Sequence, residues 1–365
     1  VEDTPQSDLS AVEGQAKFRS KRPLLKFALR AVVTLAAIVY LIRKIDWADF
    51  LTGFTSSDPT WLVLALVAFG AAYLLAAARW WYLLRVQLIR IPMSTVVAVT
   101  FIGQFFNSFM LGAVGGDVVR SVYILGYAPR QRTHATLSII LDRALGLFVL
   151  LFAAVLTLPF GLGGYPLTPQ TKAILHSILL VFVGFVGLGV LFAVFPFRST
   201  PQWIQQWWRR VPYHHVAELI VGGYRAHQSS PVDTCCAIGA AILVTLVVVV
   251  AGSWIAKGIH LDVPLVAMLQ ILTVAICIVS LPISIGGHGV REGVFLFMFS
   301  AYGVTQINSA LGSSRAVLFS LIFYFLSAAW SIVGGVIYFF YKARPRINGT
   351  TDFEPTGARM EPVRK

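Results

Sequence analysis

The sequence predicts an all-α, polytopic membrane helix bundle: about six full spans and two Gly-rich re-entrant hairpins in an inverted repeat, with eight spans as the alternative. Three observations lead there. Of 365 residues, 57% are hydrophobic and 12% charged, about half the charged share of a soluble domain, and the mean hydropathy is +0.76. Residues 61–78, 91–116, 144–171, 173–197, 234–256, 263–290, 293–314 and 316–341 contain no Asp, Glu, Lys or Arg, and about 20 apolar residues cross a bilayer. Two regions, 93–127 and 264–303, are apolar yet interrupted by glycine, proline and charge.

These features exclude a soluble globule, a disordered chain and a nucleic-acid binder. The formal net charge of +13 is read against a lipid surface instead. Basic residues crowd before the first span (Lys17 to Arg30), around 79–90, around 120–143, in the central linker and at the C-terminus. The Lys/Arg excess marks cytoplasmic loops, so both termini are expected in the cytoplasm and the protein in the inner, cytoplasmic membrane. Two cytoplasmic termini require an even number of crossings.

Taken in order, residues 1–20 read as a disordered cytoplasmic tail and 21–195 as the first membrane repeat. Within that repeat, spans cover about 25–43, 61–79 and 137–159. Between the last two lies the 93–127 hairpin, broken at Gly112, Gly115, Gly116 and Asp117 and flanked by basic loops. The span 173–195 opens the second repeat. Residues 196–234 form an amphipathic cytoplasmic linker, with Trp203, Trp207 and Trp208 beside Arg209 and Arg210, a composition suited to the interface. Its His214 and His215 read as solvated loop residues. The remainder of the second repeat, 235–341, holds spans at 235–257 and 315–341 around the hairpin 264–303, which enters from the opposite side. Residues 342–365 read as a second disordered tail. Freed backbone at membrane depth must be buried in protein or line a cavity, and paired breaks in corresponding halves point to a transporter's binding site.

Three motifs carry candidate chemistry. Gln104, Asn107 and Ser108 precede a break, after which a helix starts near Gly115-Gly116-Asp117 and continues through Arg120. A helix start offers free N–H groups and partial positive charge to a phosphate, while Asp117 can also serve as a cap. Asp142-Arg143 lies just inside the next span. Arg143 can pair with Asp117, and Asp142 with Arg120, across the hairpin, in either a structural or a substrate role. The third motif is Ser284, Gly286, Gly287, His288 and Gly289, followed by Arg291 and Glu292. Intramembrane ionisable residues are functional candidates by default. No cofactor and no metal site is expected: Cys235, Cys236 and Cys277 have no zinc-like spacing and read as small packing residues.

The run from Arg79-Trp80-Trp81 through Gly115-Gly116-Asp117-Val-Val-Arg120, Asp142-Arg143 and Pro282-Ile-Ser284-Ile-Gly286-Gly287-His288-Gly289-Val-Arg291-Glu292 resembles the lysylphosphatidylglycerol synthase transmembrane-domain family, the flippase-like domain found in the membrane half of the multiple peptide resistance factor. The resemblance covers roughly 25–341. It departs in one extra residue before the second glycine pair, and in Asp142 where Glu is commoner. It implies a lipid translocase moving a phospholipid or lipid-linked headgroup between leaflets. The resistance factor's soluble aminoacyl-transferase domain has no counterpart here, so synthesis of the aminoacylated lipid is not expected and the chain is read as a non-enzyme. Arg120, Arg143 and Arg291 would then meet a phosphate, and Asp117, Asp142 and Glu292 an amine or protons. The absence of a Gly-Lys-Ser/Thr nucleotide motif points to downhill or ion-coupled movement. Alternatives are an intramembrane glycosyl- or phospho-transferase acting on a polyprenyl carrier, or a non-catalytic partner in envelope lipid synthesis. The expected partners are a lipid substrate and the bilayer, with no nucleic acid and the oligomeric state open.

Overall fold

A computed structural model describes residues 47–109, 115–128, 131–157, 173, 176–177, 179–187, 230–280, 289–301 and 310–341. Both tails, the span at 25–43, most of the central linker, and Ser284, Gly286, Gly287 and His288 lie outside the described residues.

The described residues form helices and turns, with no strand among them. After α1 (Trp47–Thr55), the first long helix is α2 (Pro59–Val86). It starts where Asp58 Oδ1 accepts the Thr60 N–H at 2.8 Å, with proline at its first position, where no N–H is needed. The broken region 93–127 becomes α3 (Met93–Phe109) and α4 (Gly115–Tyr127), and α5 (Arg132–Leu156) follows. Residues 179–187 are helical, and Phe182 stacks on Phe148 of α5. α6 (Pro231–Gly258) begins inside the stretch read as linker. The second broken region becomes α7 (Leu265–Ser280) and α8 (Val290–Ala301), and α9 (Ala310–Phe340) closes the bundle.

Among the described residues, four helical stretches are long and apolar enough to cross a membrane: Pro59–Val86, Arg132–Leu156, Pro231–Gly258 and Ser314–Phe340. They account for four of the six expected spans. At 1.5 Å per residue the 28-residue α2 and α6 reach about 42 Å, more than the ~30 Å hydrocarbon core. By the same arithmetic the 13-residue α4 and 12-residue α8 reach only about 20 Å and fall short.

Helix directions follow from contacts at the two ends of the bundle. At one end the Asp58 N–H donates to the Gly258 carbonyl at 2.8 Å, and Arg315 donates to the Ile259 and His260 carbonyls. At the other, Arg85 pairs with Asp233 at 3.4 Å, His134 meets Gln87 and Tyr127 meets Tyr341. So α2 and α6 run antiparallel, and α9 runs with α2. The chain leaves α2 at the Arg85 end, enters α3 there, and returns there through α4. The second helix pair does the same at the far end. α7 starts just beyond Leu261, and α8 runs back from Arg291, whose guanidinium lies over the Tyr324 ring, to Phe299, which packs one turn earlier on α9 against Phe319.

The packing comes in matched sets. α2 packs on α6; α3 packs on α9 as α7 does on α5; α4 packs on α5 as α8 does on α9; and α2 meets α3 as α6 meets α7. Close approach is bought by small residues. Gly334 of α9 sits directly against the Phe101 backbone of α3, and Gly70 of α2 lies under the Trp330 ring.

Candidate functional site

Five ionisable side chains from three helices form one ladder beneath the Arg85 end. α2 supplies Arg79, α4 supplies Asp117 and Arg120 one turn apart, and α5 supplies Asp142 and Arg143. Asp142 Oδ1 accepts from Arg79 Nε at 2.7 Å, and its Oδ2 accepts from Arg120 at 3.3 Å. Asp117 accepts from Arg143 Nε and lies 3.7 Å from Arg120. The order is Arg79, Asp142, Arg120, Asp117, Arg143, alternating in sign with a cation at each end. Three guanidiniums face two carboxylates, an excess of one positive charge. Asp142 is 3% exposed and Arg120 9%, so both depend on their partners: charges removed from water are tolerated only when paired and hydrogen-bonded. The outermost cation, Arg143, keeps 37% of its side chain accessible.

The local sequence explains the placement. Gly116 abuts the Gly103 carbonyl, so α4 crosses α3 at backbone contact. Its N–H, one of the orphan donors of a helix start, is taken by Asn107 Oδ1 at 2.8 Å. The Arg120 stem lies across Gly103, and its guanidinium stacks 4.0 Å from the Trp80 ring. Trp80 is fully buried and donates to Ser138 Oγ at 3.2 Å. Gly146 leaves room beside Arg79.

The ladder lines a cavity of about 490 Å³, together with Gln104, Asn107 and Thr273. A second cavity of about 350 Å³ is lined by Tyr73, Arg291, Tyr324 and Ser327. Gln104, Val244, Val248 and Ile276 line both. Gln104 donates to the Tyr73 hydroxyl at 3.1 Å, which shares a hydrogen bond with Ser327 Oγ at 2.6 Å. The partition is thus one polar side chain, Gln104, held by a short chain of hydroxyls, beside three apolar ones.

The expected cross-hairpin pairs, Arg143 with Asp117 and Asp142 with Arg120, are both present. Gln104, Asn107, Asp117, Arg120, Asp142 and Arg143 line one cavity. Gly115 and Gly116 form the start of α4. Arg291 lies apart from the ladder, at the second cavity, its guanidinium 4.4 Å from the Tyr324 ring. Glu292 does not line that cavity: one oxygen accepts the Gly289 N–H at 2.7 Å and the other holds Arg291 at 2.5 Å. It caps its helix and orients the arginine. Among the described residues no three His, Cys, Asp or Glu side chains converge as metal ligands would.

Charge counting had assigned Arg79, Arg120 and Arg143 to the basic loops, and this is corrected: all three belong to the ladder. Arg79, Trp80 and Tyr73 were missed as site residues. The signal for Arg79 was Leu83, Leu84 and Val86, which extend the apolar helix seven residues, about 10 Å, past it. An arginine at that depth either reaches back to the interface or takes an internal partner.

Comparison with known proteins agrees with this architecture. A family model described as the lysylphosphatidylglycerol synthase TM region matches residues 27–330. The chain is also similar to a UPF0104 membrane protein of Methanothermobacter thermautotrophicus, 24% identical over 317 residues, covering 81% of this chain and 90% of that one.

Proposed function

This chain belongs to the lysylphosphatidylglycerol synthase transmembrane-region family, and from that premise we propose that it is a lipid translocase, moving a phospholipid or lipid-linked headgroup between leaflets. It is a multi-pass membrane protein, and the region matched is a transmembrane region, not an aminoacyl-transferase domain. The observation that carries the reading is the buried ladder with one surplus cation on the wall of a cavity.

A polar headgroup cannot enter hydrocarbon cheaply. The cavity offers it guanidinium forks, whose charge-assisted bonds to phosphate are of the stronger kind, while the acyl tails stay in lipid. Arg143, the most accessible rung, meets the phosphate first, and Asp117 accepts an amine when the headgroup carries one. Arg291, oriented by Glu292, serves the second cavity, and Gln104 on Tyr73 separates the two. Ser284, Gly286, Gly287 and His288, outside the described residues, are proposed as substrate-binding residues on their sequence pattern alone.

We read the fold as an inverted repeat with two re-entrant hairpins and the Arg85 end in the cytoplasm. The antiparallel α2 and α6, the matched helix pairings and the return of each short helix pair to its own end support it. Single cysteines replacing Arg90, Gln131 and Asp262, all exposed, in a background free of native cysteine, should be labelled by impermeant maleimide with Arg90 and Gln131 on one side and Asp262 on the other. Arg90 and Gln131 on opposite sides would establish full crossings instead.

Reconstitution into liposomes with labelled lipids tests the function. Scrambling between leaflets is the expected result, and chemical turnover of the lipid would instead establish an enzyme. Arg143→Lys should slow scrambling by about tenfold or more despite the retained charge, because lysine lacks the planar fork. If Arg143 only pins α4, exchanging the pair as Asp117→Arg with Arg143→Asp should restore wild-type rates; a stable but inactive exchange supports phosphate contact.

A further inference from the structure

A third cavity, separate from these two, opens at the Arg85 end, outside the ladder. It measures about 580 Å³ and is lined by Trp81, Arg85, Leu88, Arg90, Pro92 and Asp233, among others. We propose that it is a docking site for the phosphate of an anionic phospholipid in the leaflet at that end. The proposal stands apart from the translocase reading, since it concerns a resident lipid rather than a transported one.

The charge argument comes first. Arg85 and Arg90 face the cavity against a single carboxylate, Asp233, which pairs with Arg85 at 3.4 Å. Arg90 is exposed and has no carboxylate partner among the described residues. One positive charge is left over, on the guanidinium chemistry that suits phosphate. Arg85 is also seated 4.8 Å from the centre of the Trp81 ring.

The second argument is the shape of the loop. Leu88 adopts a left-handed backbone, φ 60°, which costs a residue with a Cβ, and its side chain is 74% exposed. The loop is locked in this state: the Leu88 and Ile89 N–H groups donate to the Arg85 and Leu84 carbonyls, and Trp81 Nε1 donates to the Ile91 carbonyl at 2.9 Å. A strained leucine held outward beside two arginines and a tryptophan matches a site whose ligand is polar at one end and apolar at the other. A soluble phosphate would gain nothing from Leu88. A lipid gains an acyl contact from it, at the depth where tryptophan and arginine sit in membranes.

The test uses the full chain in detergent with native mass spectrometry. Phosphatidylserine is expected to be retained at least tenfold better than phosphatidylcholine. Arg85→Gln with Arg90→Gln should abolish that preference. Asp233→Asn should strengthen phosphatidylserine retention severalfold by removing the competing carboxylate, whereas a purely structural Arg85–Asp233 pair predicts destabilisation with no gain in lipid. Leu88→Gly should weaken retention while raising the unfolding temperature through relief of strain. Equal retention of both lipids, no effect of the double arginine variant, or no gain from Asp233→Asn each overturns the proposal. Displacement of phosphatidylserine by millimolar inorganic phosphate would reassign the cavity to a soluble anion. None of these readouts depends on transport, so their failure leaves the translocase reading untouched, and the reverse holds too.

Discussion

Asp142→Asn is expected to be among the most damaging single substitutions in this protein. Asp142 is the rung that holds two arginines, Arg79 and Arg120, and it is 3% exposed. Asparagine keeps the shape but removes the charge and presents an amide N–H₂ to a guanidinium that can only donate. Breaking a buried ion pair on one side costs about 3–5 kcal/mol, because the remaining charge is left uncompensated. Thermal unfolding of the purified protein should show that loss, and scrambling in liposomes should vanish with it. The double variant Asp142→Asn with Arg79→Gln should recover much of the stability, the coupling expected of groups in one network. Asp117→Asn makes the contrast: its partner Arg143 is partly exposed, so folding should be largely kept while transport is lost. If Asp142→Asn unfolds no more easily than Asp117→Asn, Asp142 does not bear the burden of both arginines.

Gly116→Ala is expected to be nearly as severe, by a steric route. An added Cβ would run into the Gly103 carbonyl and the Asn107 side chain, and a backbone oxygen in a helix cannot yield as a flexible side chain would. α4 must move away from α3, and Asp117 and Arg120 move with it. Overpacking of this kind costs about 1–3 kcal/mol, and a displacement on the order of 1 Å costs about a hundredfold in activity at sites that depend on geometry. Gly293→Ala is the control. Among the described residues nothing lies within 4 Å of a Cβ added there, so alanine should be neutral or stabilise the helix by up to about 1 kcal/mol. Equal melting temperatures for the two variants would show that the α3–α4 crossing is not tight.

The two glycines also show how far a sequence can be read. Gly116 and Gly293 both stand beside an acid at the start of a short helix in a broken apolar region, and the chain does not say which of them is crowded. The neighbour across the crossing does: a carbonyl for one, and for the other no described residue within 4 Å. The same holds for the acids. Asp117 and Glu292 occupy similar positions, yet Asp117 faces a cavity and Glu292 turns back to cap its own helix.

Some properties of this protein were determined by sequence alone. The bilayer requires long uncharged runs, so α2, α5, α6 and α9 announce themselves by length. Glycine and charge inside such runs require shelter, so the regions of α3–α4 and α7–α8 were legible as broken. The pairs Arg143 with Asp117 and Arg120 with Asp142 could be anticipated because few ionisable groups lie at that depth and each needs an opposite. Arg79 was decided only by the tertiary structure. Its position near the end of an apolar run is compatible with an arginine reaching the interface or with one held inside. Which occurs depends on α5 packing against α2 so that Asp142 meets it. Chain order carries no record of that packing, because a local pattern sets how a helix meets lipid and water, while the partner of a buried charge is set by the helices that surround it.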